Sequence, residues 1–128
     1  MSLMMMLEID RNADVDLIRS VLVRCGVEFL NNEGEGCDGN FPASNMFFSL
    51  RTIQSGKVKA EDFECDWDVG AEIAFVYVIS ELEKCKRQLR CFLEELSKAS
   101  ACNWVLSFQF ESVYAYGSGS SVNWLREL

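Results

Sequence analysis

The sequence predicts an α+β fold: an antiparallel sheet with two helices packed on one of its faces. Three observations carry this expectation. Runs such as "VGAEIAFVYVIS" and "NWVLSFQF" alternate their side chains with period two, as strands do. "DLIRSVLVRC" and "ELEKCKRQLRCFLEELSKA" instead repeat apolar residues every three or four positions, as amphipathic helices do. The strand-like runs also come in close pairs, which suits hairpins better than the long crossovers of a parallel sheet. The expected order is α-β-β-α-β-β, with a doubly wound parallel sheet as the competing arrangement. At 128 residues, 49% of them apolar, the chain is expected to form one domain, 1–128, around one core.

The opening "MSLMMMLEID" holds an apolar run too short to span a bilayer and lacks the positive start of a signal peptide. It is read as carrying no element, with Met1 to Leu3 as a leader before Met4. The first helix follows, capped by Asn12 or Asp14, with Asp14 and Asp16 at the positive end of its dipole. Leu17, Val21, Leu22 and Cys25 form its apolar stripe, and Gly26 suits its end. "VEFLNNEGEGCDGNFPAS" begins as a short apolar piece and becomes a surface loop over residues 31–44. "NMFFSLRTI" reads as a strand with Met46, Phe48 and Leu50 on one face, and "QSGK" turns the chain.

In the strongest strand, Val69, Ala71, Ile73, Phe75, Tyr77 and Ile79 share a face. Ala74, Val76 and Val78 opposite are apolar too, so the strand should be central and covered on much of both sides. Ser80 and Glu83 form a capping-box pattern ahead of the second helix, whose stripe is Leu82, Cys85, Leu89, Phe92, Leu93 and Leu96. Trp104, Leu106, Phe108 and Phe110 should then point inward, with Val105, Ser107 and Gln109 outward. A last strand around 113–116 puts Tyr114 and Tyr116 on one face, and a short strand ends near Trp124.

Charge is the most informative feature for function. The net charge is −8, and residues 61–68 alone supply −5 through Glu61, Asp62, Glu64, Asp66 and Asp68. Phe63 and Trp67 stand among these acids. A second base-free stretch, from Cys25 to Leu50, holds Glu28, Glu33, Glu35 and Asp38. Such a field repels nucleic acid and anionic membranes and attracts basic partners. Carboxylates around aromatic anchors suit a protein interface, where charge speeds encounter and rings fill pockets. The competing reading tucks Phe63 and Trp67 into the core and leaves the acids as solubilising loop residues. An early strand start would bury Trp67 on the face of Val69 and Ala71.

Motifs for chemistry are weak. Asp62, Glu64 and Asp66 match the first ligand positions of an EF-hand, but Trp67 replaces its glycine and Ile73 its bidentate glutamate. "GEGCDG" is followed by Asn40, Phe41 and Pro42 and not by a helix, so it is no dinucleotide fingerprint. The chain has no histidine, and its six cysteines include no CxxC pair, which argues against a zinc site. Cys37 lies among acids, a poor setting for a nucleophile. With no export signal read, the thiols are expected reduced and the protein cytoplasmic. No catalytic residue, cofactor or metal is expected.

"DWDVGAEIAFVYVISELEKCKRQLRCFLEELSKAS" followed by "WVLSFQFESVYAY" resembles the small immunity proteins of bacterial polymorphic-toxin and contact-dependent growth-inhibition systems. The resemblance covers about half the chain and rests on element order, size, charge and the "LSFQFESVYA" segment. It implies a compact α/β protein that neutralises a toxin domain by binding it, and it carries over no individual functional residue. The expectation is a non-enzymatic inhibitor of a basic toxin domain, with a nuclease as the first toxin class considered and Glu33, Glu35, Asp38, Glu61, Asp62, Glu64, Asp66 and Asp68 as contact residues. The alternatives are an acidic chaperone of the type III secretion kind, usually a dimer, and a small ligand-binding domain. Monomer and dimer are both compatible with the sequence.

Overall fold

A computed structural model describes residues 3–32 and 34–128. The order is β1 (Leu3–Asp10), α1 (Val15–Arg24), β2 (Glu28–Asn31), β3 (Cys37–Phe41), β4 (Met46–Gly56), β5 (Val69–Tyr77), a 3₁₀ turn (Ile79–Glu81), α2 (Leu82–Ala99), β6 (Trp104–Phe108), β7 (Ser112–Ser118) and β8 (Ser121–Trp124). The strands form one sheet in the order β2-β3-β4-β5-β1-β6-β7-β8, every neighbouring pair antiparallel. The mixed α+β class and the antiparallel sheet are as expected; the element order is not.

Three strands were not foreseen. The methionine-rich N-terminal run, expected to carry no element, is β1, paired with β5 on one side and β6 on the other. It shows no alternation because both its faces are covered: Met5, Leu7 and Ile9 point to the helices, and Met6 and Glu8 are buried opposite. The expected loop 31–44 contains β3, and β2 precedes it as an edge strand. β3 hides its pattern because its inward residues are Cys37, Gly39 and Phe41. Gly39 is small for a reason: a Cβ there would stand 2.3 Å from the Glu28 carbonyl oxygen and 2.9 Å from the Phe48 ring.

β1 organises the topology. From it α1 carries the chain to the far edge, and β2 to β5 meander back. α2 then crosses over β1 to β6, and β6 to β8 meander outward. The helices bury Ile18, Val21 and Leu22 of α1 and Cys85, Leu89, Phe92, Leu93 and Leu96 of α2 against the sheet. The α2 stripe is the expected one except for Leu82, which is only half-buried. In α1, Ile18 takes the fully buried place expected for Leu17. Asp14 caps α1, accepting from the Asp16 N–H at 3.0 Å. The Ser80–Glu83 box is not formed: Ser80 lies in the 3₁₀ turn, α2 begins without a side-chain cap, and Ile79 is exposed.

The core runs as linked rings, Phe29 to Phe48, Phe48 to Phe41, Phe41 to Phe75 and Phe75 to Phe92, at centroid separations of 6.1, 5.8, 6.3 and 5.7 Å. Beyond β1, Trp104 is fully buried over Gly117, where a Cβ would lie 2.1 Å from the indole nitrogen, and its Nε1 donates to Ser97 Oγ at 3.1 Å. No helix among the described residues is long and apolar enough to cross a membrane.

Candidate functional site

The acidic stretch belongs to a strap, residues 57–68, that joins β4 to β5 and folds across the outer face of the sheet, away from the helices. Gly56 pairs with Val69, so the strap leaves and re-enters the sheet at one place, as an Ω-loop does. In between it reaches over β1, β6 and β7. Glu8, on the outer face of β1, accepts the Lys59 and Ala60 N–H groups at 2.8 and 3.0 Å. The Glu61 N–H donates to the Phe110 carbonyl at 2.8 Å, and the Phe63 ring lies 5.7 Å from that of Tyr116 on β7. The Arg11 N–H donates to the Asp68 carbonyl at 2.9 Å where the strap returns.

The turn that receives Glu61 is itself unusual. Gln109 and Phe110 both have positive φ, 51° and 67°, closing the β6–β7 hairpin with a Glu111 N–H to Phe108 carbonyl bond of 2.8 Å. A left-handed phenylalanine costs about 1 kcal/mol or more and persists only where its surroundings hold it. Here the Glu61 bond and the Lys59 ammonium, 5.6 Å from the Phe110 ring centroid, do so.

The strap explains a departure from the simple alternation. Val105 and Ser107, expected outward and wet, are fully buried because they lie beneath it. Tyr114 and Tyr116 do not share a face either. A bulge between Leu106 and Ser107 lets Tyr116 meet the strap while Tyr114 packs beside Leu3, Met5 and Tyr77 on the helix side.

Glu8 is 1% exposed and faces Glu72 directly across the β1–β5 pair. Burial raises its pKa, the two strap N–H groups oppose that rise, and the Glu72 carboxylate adds to it. Glu72 is buried too, and its charge is met by Arg51 on β4, whose Nη2 and Nε lie 2.6 and 3.0 Å from Oε1.

The strap's five acids differ in setting. Glu61, Asp62, Glu64 and Asp66 are exposed; Asp68 is half-exposed and 3.9 Å from Arg11 Nη1. Phe63 and Trp67 are half-buried, so neither the fully buried nor the fully exposed reading of Trp67 holds. Both rings line a pocket of about 390 Å³ with Lys57, Val58, Glu64, Cys65, Asp66 and Asp68. Aromatic faces and carboxylates both attract cations, and this chain's own Lys57 lines the same pocket.

The second acidic segment divides. Asp38 lies on the same outer face, on β3, accepting from Ser49 Oγ at 2.7 Å. Glu35 lies elsewhere, bonded to Thr52 at 3.0 Å beside the start of α1, where Arg19 donates to the Gly34 and Gly36 carbonyls at 2.6 and 3.2 Å. Glu33 lies outside the described residues. The structure therefore brings Glu64, Asp66 and Asp68 together around the pocket, carries Glu61 and Asp62 on the same strap, sets Asp38 on the outer face three strands from β1, and separates Glu35. Sequence reasoning missed Glu8 and the pocket residues Lys57 and Val58. A single glutamate inside an apolar run was the one signal for Glu8.

Among the described residues no group of three or more cysteine, aspartate or glutamate side chains is placed to hold a metal ion. No protein-family model matches the chain, and neither does any curated protein or solved structure.

Proposed function

We propose that this protein is a non-enzymatic inhibitor that binds a basic protein domain through the strap, in the manner of an immunity protein that neutralises a toxin. One observation carries the reading: four exposed carboxylates are displayed on a segment whose backbone is fastened at Lys59, Ala60 and Glu61, by Glu8 and the Phe110 carbonyl, and at Asp68 by the Arg11 N–H. A merely solubilising loop needs no buried carboxylate under it. A fastened strap loses little freedom on binding, which favours affinity as well as encounter rate. The pocket of Phe63 and Trp67 would take one lysine or arginine side chain of the partner, with Glu64, Asp66 or Asp68 meeting its charge.

The test is capture from the source cell with wild-type protein and with Glu61, Asp62, Glu64 and Asp66 changed together to serine. A basic partner, held by wild type at low salt and lost from the variant, is expected. Produced alone in a bacterial host, that partner should arrest growth, and co-production of the wild type should restore it. A partner held equally by both forms, or one whose toxicity is unaffected by this protein, overturns the reading.

A further inference from the structure

A small cavity lies on the helix side of the sheet, away from the strap. Its volume is about 170 Å³, and its walls include Met5 of β1, Tyr77 of β5, Phe108 of β6, Tyr114 of β7, and Leu82 and Lys86 of α2. Tyr77 is 7% exposed, and its hydroxyl is buried with no hydrogen-bond partner among the described residues. Buried hydroxyls are ordinarily paired, so an unpaired one on a cavity wall indicates what the cavity takes. Burial raises the Tyr77 pKa, and the group stays a neutral donor through the ordinary pH range. Lys86 is the one charged side chain in the wall, and its ammonium lies 3.6 Å from a Glu83 carboxylate oxygen. The other wall side chains are aliphatic, thioether or aromatic, and three of them are rings.

We propose that this cavity binds a small neutral aromatic molecule bearing one acceptor oxygen, such as an aryl ketone, with the Tyr77 hydroxyl as its donor. Size sets the upper bound. A dry apolar cavity of about 150 Å³ takes up benzene, so this one admits a single ring with a short substituent. The rings of Tyr77, Phe108 and Tyr114 favour an aromatic body, because edge and face contacts add to apolar burial. The acceptor oxygen gives the Tyr77 O–H the partner it lacks. A hydrocarbon ring would fill the space and leave that hydroxyl unpaired. A carboxylate fits poorly, because Lys86 already meets Glu83 and an ion would lose its hydration against apolar walls. Leu82 and Lys86 stand one turn apart at the start of α2, which begins without a side-chain cap. The ligand would therefore tie the first turns of α2 to β1, β5, β6 and β7.

The experiment titrates the full-length protein with acetophenone and with α-methylstyrene, in which a methylene group replaces the carbonyl oxygen. Methyl and aromatic NMR shifts locate the binding and measure its affinity. Saturable shifts are expected at Met5, Leu82 and Tyr114, and none at Phe63 or Trp67. Tyr77→Phe should weaken acetophenone binding about tenfold, the worth of one neutral hydrogen bond, and should not weaken α-methylstyrene binding. Leu82→Phe, which fills the cavity from the half-buried start of α2, should weaken both ligands. The variant with serine at Glu61, Asp62, Glu64 and Asp66 should bind acetophenone as wild type does, which separates this site from the strap's role. Acetophenone that gives no saturable shift, or shifts confined to the strap, overturns the proposal. So does a Tyr77→Phe variant that binds both ligands as wild type does or weakens both equally.

Discussion

The outer face of the sheet is two surfaces. Over β1, β6 and β7 the strap makes it a second core, where Met6, Glu8, Val105 and Ser107 are sealed. Over β2 to β4, and over β5 at Ala74 and Val76, the same face is more open, while Glu72 on β5 is 3% exposed and belongs to the covered part. The registers align Glu28, Asn40, Phe47, Val76 and Met4 in one cross-strand row and Asn31, Asp38, Ser49, Ala74 and Met6 in the next. Phe47 is 37% exposed in the first row, while Met6, at the strap end of the second, is 5% exposed. Strand sequence alone does not separate the halves, since each mixes apolar and polar residues on this face. What separates them is a covering segment distant in sequence, fixed by one buried carboxylate. The open half is available surface, and the covered half is the foundation of the acidic display.

The sharpest break in this comparison is a charge placed on each half. Val105→Asp should cost about 4 kcal/mol or more, because the strap leaves the new carboxylate neither water nor partner. Phe47→Asp should cost no more than about 1 kcal/mol, since that position already meets solvent. Urea unfolding of the pair measures the difference, and equal costs would mean that the strap does not seal the face.

Next in size is the anchor. Glu8→Leu leaves the Lys59 and Ala60 N–H groups without their acceptor and should cost about 2–4 kcal/mol. Amide exchange should speed at Lys59, Ala60 and Glu61 before it speeds on β5. Exchange that rises uniformly across the sheet would show that strap and sheet open as one unit.

Glu8 also sharpens the comparison through pH. Its folded pKa is raised, so the folded state holds the proton more readily than the unfolded chain does. Stability from this group is fully present below the ordinary carboxylate range and is lost as pH rises through the raised value. Glu8→Gln should flatten that limb of the stability–pH curve and leave the acid side close to wild type. An unchanged limb in the variant would assign it to another group.

The smallest effect is beneath the strap. The Ser107 hydroxyl is buried with no hydrogen-bond partner among the described residues. Ser107→Ala should therefore be neutral or stabilise by up to about 1 kcal/mol. A loss of more than that in thermal unfolding would reveal a bound water serving the hydroxyl.

The sequence made some of this plain and hid the rest for physical reasons. The α2 stripe and the inward faces of β4 and β5 were legible because each buries one face and alternates with its proper period. β1 was not, because a strand covered on both sides has no wet face to mark it. β3 was not, because close packing against Phe48 and Glu28 demands Gly39 where a strand pattern calls for a bulky residue. The acid cluster was visible at once, whereas its anchor was not: Glu8 meets Lys59 and Ala60 across 51 and 52 positions, a separation no local pattern encodes. Glu35 and Asp38 are close in sequence yet fall apart in space, because β3 turns Asp38 to the outer face and the preceding turn leaves Glu35 beside α1.

The pairing of Gly56 with Val69 has a consequence for how this chain can change. Because the two ends of the strap already touch, a longer or shorter segment between them adds little closure cost, about 0.6 kcal/mol for a doubling of length. β4 and β5 would keep their register through such a change, and the residues that reach Glu8, Phe110, Tyr116 and Arg11 would be constrained. The acidic half of the segment is thus free to be rewritten by altering a handful of codons in one place, while the scaffold stays as it is.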